Sequence, residues 1–151
     1  MKSALKSVMT AILMAVCFAF ALSGTPSQAQ TTVTPMVVYH FDDAKSQGLK
    51  GLRSIRNQLD TVPATKLAIV AHADGVDMFM EGATDAASKI AYAPLIADLK
   101  SRGVDIYVCE LTLMGRDLSP DQFILEADFT RSGVVKLTEL QQVGGYAYIK
   151  P

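Results

Sequence analysis

Apolar residues in this chain collect into short dense runs, separated by stretches in which they recur every three or four positions. Residues 36–41 (MVVYHF) form a run of β-branched and aromatic side chains with almost no polar interruption. Strict alternation marks a strand with one wet face, whereas an unbroken run marks a strand covered on both faces. Residues 66–73 (KLAIVAHA) and 105–109 (DIYVC) repeat the pattern, 146–149 (YAYI) gives a last strand, and a short strand or extended loop is expected around Phe129. Between the first two runs, Leu49, Leu52, Ile55 and Leu59 make one stripe, with Lys50, Arg53, Arg56 and Asn57 on the wet side. That spacing predicts an amphipathic helix over 44–59, opened by Asp42-Asp43, weakened near its start by Gly48 and Gly51, and ended by Pro63. A second helix takes Pro94 in its first turn and runs to Arg102, where Gly103 stops it. A short helix is predicted over 111–118, and Ser119-Pro120-Asp121 has the serine cap, proline and acid of another helix start. Ser132 caps a last helix over 133–142, closed by Gly144-Gly145.

Strands alternating with helices imply crossover connections and helices on both faces of the sheet. The expected fold is a three-layer α/β/α sandwich around a mainly parallel sheet of about five strands. The loop over 74–85 carries an apolar insert, Met78-Phe79-Met80, which suits a subunit contact or a lid over the core better than a cofactor box.

The N-terminus changes the picture of what this domain is for. Lys2 and Lys6 precede an apolar run over 8–22, followed by small and polar residues ending in Ser27-Gln28-Ala29. This is the layout of a secretory signal peptide over 1–29, cleaved after Ala29. The run is shorter than the ~20 residues of a membrane span. A periplasmic or secreted location follows, with no membrane attachment after cleavage; retention as an anchor is the alternative. Residues 30–35 read as a flexible lead and 36–151 as a single domain. Cleavage removes two of the 14 basic residues and none of the 15 acidic ones, so no basic stripe remains for nucleic acid. It also removes Cys17 and leaves Cys109 as the only cysteine. A single cysteine in an exported domain is a free reactive thiol, an intermolecular partner, or a small buried hydrophobe.

In a parallel sheet the ligand edge lies outside the carboxyl ends of the strands. His40, His72 and Cys109 fall at the ends of the first, second and third predicted strands, which makes Cys109 the candidate nucleophile and both histidines candidate supporting groups. If 111–118 is helical, its first N–H groups point at the sulfur and pull a thiol pKa down from ~8.5. There is no C-x-x-C, no G-x-G-x-x-G after the first strand, no phosphate-binding P-loop and no G-x-S-x-G. His40 with Asp42, Asp43 or His72 matches no metal-ligand spacing, so neither metal nor cofactor is expected.

The segments "MVVYHF", "KLAIVAHADGVDMFM", "LKSRGVDIYVCELTL" and "SGVVKLTELQQVGGYAYIKP" together resemble the DsrE/DsrF-like family, in its exported single-domain branch. The resemblance implies a small α/β sandwich assembled as a homo-trimer or hexamer. It also implies sulfur relay: Cys109 matches the family cysteine that takes up sulfane sulfur as a persulfide and passes it to another protein, so a donor or acceptor protein is an expected partner. His40 falls where exported relatives carry a histidine. The leading expectation is therefore a sulfur carrier or sulfurtransferase. Two others stand beside it: an oligomeric module that binds a small ligand or partner without catalysis, with Cys109 merely packed, and a thiol redox sensor.

Overall fold

The computed structural model describes residues 34–151. The predicted signal segment, and all but Thr34 and Pro35 of the predicted lead, lie outside the described residues. Five strands and four helices follow in the order β1 (Met36–Asp43), α1 (Ala44–Thr61), β2 (Lys66–Asp74), α2 (Ala93–Ser101), β3 (Asp105–Cys109), α3 (Glu110–Gly115), β4 (Asp128–Thr130), α4 (Gly133–Gln142) and β5 (Ala147–Ile149). All strand pairs are parallel, in the order β4-β3-β2-β1-β5. The architecture is the three-layer α/β/α sandwich.

The two faces of the sheet are unequal. Val37, Tyr39 and Phe41 of β1, with Leu67, Ile69 and Ala71 of β2 and Ile106 and Val108 of β3, point into one large apolar cluster. Helix α1 adds Leu52, Ile55 and Leu59 to it, and α2 adds Ile96 and Leu99. On the opposite face the buried apolar cluster is only Val38, Ala68, Val70 and Leu137, the last from α4. Valines 134, 135 and 143 at or beside α4 are more than half exposed.

The central strands are apolar on both sides because helices cover both sides, as their unbroken runs predict. Helix α1 begins where the Asp43 carboxylate accepts the Lys45 N–H at 2.9 Å. Its glycines have a use that propensity does not show. A methyl at Gly51 would strike the Phe41 ring, so glycine lets α1 lie close on β1. Met78 and Phe79 sit in a 3-10 segment, Gly75–Phe79, and are fully buried in the large cluster. Of the two readings of this insert, the structure adopts the lid over the core.

Two predicted helices are shorter than their patterns suggest. Helix α3 stops at Gly115 instead of 118. The start at Ser119 yields one 3-10 turn, Pro120–Gln122, with the Gln122 side chain accepting the Ser119 N–H at 2.8 Å. Phe123 then turns extended, bridges to Met80 and packs edge-on against Phe129 with ring centroids 5.9 Å apart. Burying that ring on the core outweighs continuing a helix into solvent.

Candidate functional site

Strand pairing decides which side chains meet. His40 pairs with Val70, and Ala71 pairs with Val108, so the ends of β1, β2 and β3 lie side by side along one edge. Side chains alternate along a strand. His40 therefore shares the face of Val38, His72 that of Ala68 and Val70, and Cys109 that of Tyr107. All three point to the side covered by α4.

The histidines meet head to head. His40 Nε2 and His72 Nε2 are 2.6 Å apart, with ring centroids at 4.6 Å and planes tilted by 31°. One proton must lie between the two nitrogens, so one ring donates and the other accepts. His40 Nδ1 is 2.6 Å from the Tyr148 hydroxyl of β5. His40 is buried and His72 half-buried. Burial first, and then the neighbouring His72, holds the His40 imidazole below its ordinary pKa; Asp42 opposes this weakly and Lys150 adds to it. Asp42 is itself committed elsewhere, accepting from Lys150 Nζ at 2.6 Å and from Gln47 Nε2 at 2.7 Å.

Cys109 occupies the junction of β3 and α3, where the strand passes into the helix without a loop. It is 5% exposed. Burial pushes the thiol pKa up, but the nearby Gly133 N–H, Thr112 hydroxyl and Thr112 and Leu111 N–H groups favour the thiolate and together leave it below its ordinary value; the thiol itself makes no cap hydrogen bond to α3. These groups come from the first turns of α3 and α4, so two helix N-termini lie close to the thiol. Backbone donors and the positive end of a helix both favour the thiolate. Leu111 also donates to the Arg131 carbonyl at 3.3 Å. The Thr112 hydroxyl accepts the Ala73 N–H at 3.0 Å, joining α3 to the end of β2. Ala73 holds a φ of +48°, a backbone strained for a residue with a Cβ.

Gly133 brings the thiol and the histidines together. A Cβ there would stand 3.2 Å from His72 Cβ and 3.3 Å from Cys109 Cβ. The bare glycine lets the start of α4 lie against both side chains. Cys109 and His72 thus flank one point, with no hydrogen bond joining imidazole to thiol among the described residues. Glu110, next to Cys109 in sequence, is in the first turn of α3 and half-buried. The side chains exposed on the first turns are apolar: Leu111 on α3, Val134 and Val135 on α4. Among the described residues no three His, Cys, Asp or Glu side chains are grouped to hold a metal, and no helix is long and apolar enough to cross a membrane.

Tyr148, Thr112 and Gly133 are the groups that sequence reasoning missed. Thr112 lies within the predicted first turn beside the cysteine, which is a usable signal. Tyr148 reaches His40 only because β5 pairs with β1, Tyr148 opposite Val38, across 108 residues of chain.

The model of the DsrE/DsrF-like family matches residues 17–151. None of the curated proteins matches. Among solved structures, MTH1491 from Methanobacterium thermoautotrophicum, described as a protein of unknown function, is similar at 25% identity and a TM-score of 0.68. That alignment covers 78% of this chain and 99% of that one. The ychN protein from E. coli is similar at 16% identity and a TM-score of 0.62, over 79% of this chain and 100% of that one, a likeness of fold alone.

Proposed function

This chain belongs to the DsrE/DsrF-like family, and from that premise we propose that it handles sulfane sulfur, with Cys109 as nucleophile and persulfide carrier. The observation that carries the reading is the treatment of one sulfur atom. A cysteine packed as a small hydrophobe sits among apolar groups that raise its pKa. Cys109 is as buried as such a residue, yet it stands where α3 begins and against the start of α4, where a Cβ at Gly133 would lie 3.3 Å from its own, and the polar groups there hold its pKa below the ordinary value.

The chemistry follows. The Cys109 thiolate attacks the outer sulfur of a persulfide donor, R–S–SH. A new S–S bond forms, the donor's S–S bond breaks, and the electron pair leaves with R–S⁻, which takes up a proton. The product is Cys109–S–SH, and no external oxidant or reductant is consumed. The same step in reverse sense, with an acceptor thiolate attacking the outer sulfur, unloads it. Such exchange is fastest when the attacking thiol's pKa lies near ambient pH. His40 and His72 support it from the same face.

The apolar first turns around the thiol suit contact with a donor or acceptor protein. The scant cover on the α4 face suits a homo-trimer or hexamer, and the N-terminal pattern suits export to the periplasm or beyond. Narrow exposure of Cys109 favours a second reading, in which the thiol is simply packed. Incubation with a sulfane sulfur donor followed by intact mass measurement separates the two. The native protein is expected to gain the mass of one sulfur and Cys109→Ser none. No gain with any of several donors, together with a thiol that meets disulfide reagents only on unfolding, establishes the packed reading.

A further inference from the structure

Taking Cys109 as an exchanging thiol, we infer that Tyr148, His40 and His72 form one proton-conducting file that serves the leaving group at Cys109, with Tyr148 as the positioning residue that sets the tautomer of both histidines. The file has four ring nitrogens. His40 Nδ1 is held by the Tyr148 hydroxyl at 2.6 Å, and His40 Nε2 meets His72 Nε2 at 2.6 Å. The remaining nitrogen, His72 Nδ1, has no hydrogen-bond partner among the described residues. It belongs to a half-buried ring whose Cβ flanks the bare Cα of Gly133, opposite the Cβ of Cys109. The other end of the file, Tyr148, is 42% exposed and reaches water.

Two arrangements of protons satisfy this geometry with both rings neutral. In the first, the Tyr148 O–H donates to His40 Nδ1, His40 Nε2–H donates to His72 Nε2, and His72 carries its proton on Nδ1. In the second, every bond is reversed: His40 Nδ1–H donates to the tyrosine oxygen, His72 Nε2–H donates to His40 Nε2, and His72 Nδ1 is bare. Passing from the first to the second delivers the Nδ1 proton to a thiolate leaving from the sulfur site. The His40 Nε2 proton moves to His72, the tyrosine proton moves to His40, and water restores the tyrosine. Nothing is oxidised, and one proton crosses from solvent to the leaving sulfur. The file needs neutral rings at work, and the lowered basicity of His40 keeps it neutral near pH 7. The other charged groups near His40, Asp42 and Lys150, are paired with each other at 2.6 Å and take no part in the transfer. Without the tyrosine hydroxyl, His40 Nδ1 has no fixed partner and the file loses its connection to water.

The test compares leaving groups, because proton delivery matters only for a basic one. Native protein and Tyr148→Phe are reacted at pH 7 with two soluble mixed disulfides, one releasing an aliphatic thiol and one releasing an acidic aromatic thiol. Alkylation by iodoacetamide, whose leaving iodide takes no proton, is measured in parallel. Tyr148→Phe is expected to slow the aliphatic reaction by about tenfold, less than the ~10²-fold or more of a general acid itself, because the hydroxyl acts through two other rings. The aromatic reaction and the alkylation should change less than about twofold on the same reasoning. Equal slowing of all three, or of none, overturns the file. Should Tyr148→Phe melt early, His40→Gln breaks the file at its middle and must show the same leaving-group dependence. These reagents carry no sulfane sulfur, so a failure to form a persulfide leaves this test intact, and the two proposals fail separately.

Discussion

The two faces of the sheet are built for different ends. On the α1–α2 side, twenty-three buried residues interlock, and glycines let helix and strand close to contact. On the α4 side only four residues form the buried cluster, and the strand ends carry polar groups held by hydrogen bonds. Stability is concentrated where packing is dense, while the chemistry proposed for Cys109, His40 and His72 would use the more thinly packed face. Placing His40, His72 and Cys109 on the crowded face would bury unpaired polar groups, each costing on the order of 1–3 kcal/mol.

Substitutions can break this contrast. The largest effect is expected at Phe41, fully buried under Gly51 and beside Gly75. Phe41→Ala should lower unfolding free energy by roughly 3–5 kcal/mol in urea titration, while the folded fraction keeps native thiol reactivity. A loss below about 1 kcal/mol would show that the crowded face is not where stability resides. Next comes Thr112→Val, which removes a hydroxyl that favours the Cys109 thiolate and leaves the Ala73 N–H without its partner. It should cost about 1 kcal/mol and raise the thiol pKa, seen as a shift of the alkylation–pH curve to higher pH; an unmoved curve excludes the hydroxyl as a thiolate donor.

A smaller effect is expected at Gly133. Its Cβ contacts would be tight without meeting backbone, so Gly133→Ala should change stability by less than about 1 kcal/mol. By shifting the start of α4 away from Cys109 it should slow alkylation at pH 7 about threefold, a fraction of the ~1.5–3 kcal/mol of one hydrogen bond to a charged group. Unchanged alkylation would mean the α4 terminus does not hold the thiolate.

The smallest effect is a pH dependence. His40 has a folded pKa below its unfolded value, so the unfolded chain binds the proton more readily. Its stabilising contribution is therefore complete above the unfolded pKa of about 6.5 and is lost as pH falls towards the folded one. Melting temperature should drop between pH 7.5 and 5.5, and His40→Gln should flatten that slope. An equally steep slope in the variant assigns the titration to another group.

Much of this was legible without coordinates. Unbroken apolar runs announced strands covered on both sides, and the Leu49–Leu59 stripe announced α1, because burial of a face imposes its period on any sequence that folds. The strand-end placement of His40, His72 and Cys109 followed from the same periodicity. Propensity misjudged Gly51, which weakens an isolated helix but permits close packing on Phe41. It also overextended Ser119-Pro120-Asp121, since only the tertiary bridge to Met80 shows why Phe123 leaves the helical path.

The sequence by itself determined the layers, the lone thiol among the described residues and the edge on which Cys109, His40 and His72 lie, because these depend on local pattern and on the parallel direction of strands. Tertiary structure decided that β5 lies next to β1, that the two histidines meet head to head, that Tyr148 holds one of them, and that Gly133 sets the start of α4 beside Cys109 and His72. Those contacts join residues far apart in the chain. Their distances depend on how whole elements pack, which no local spacing records.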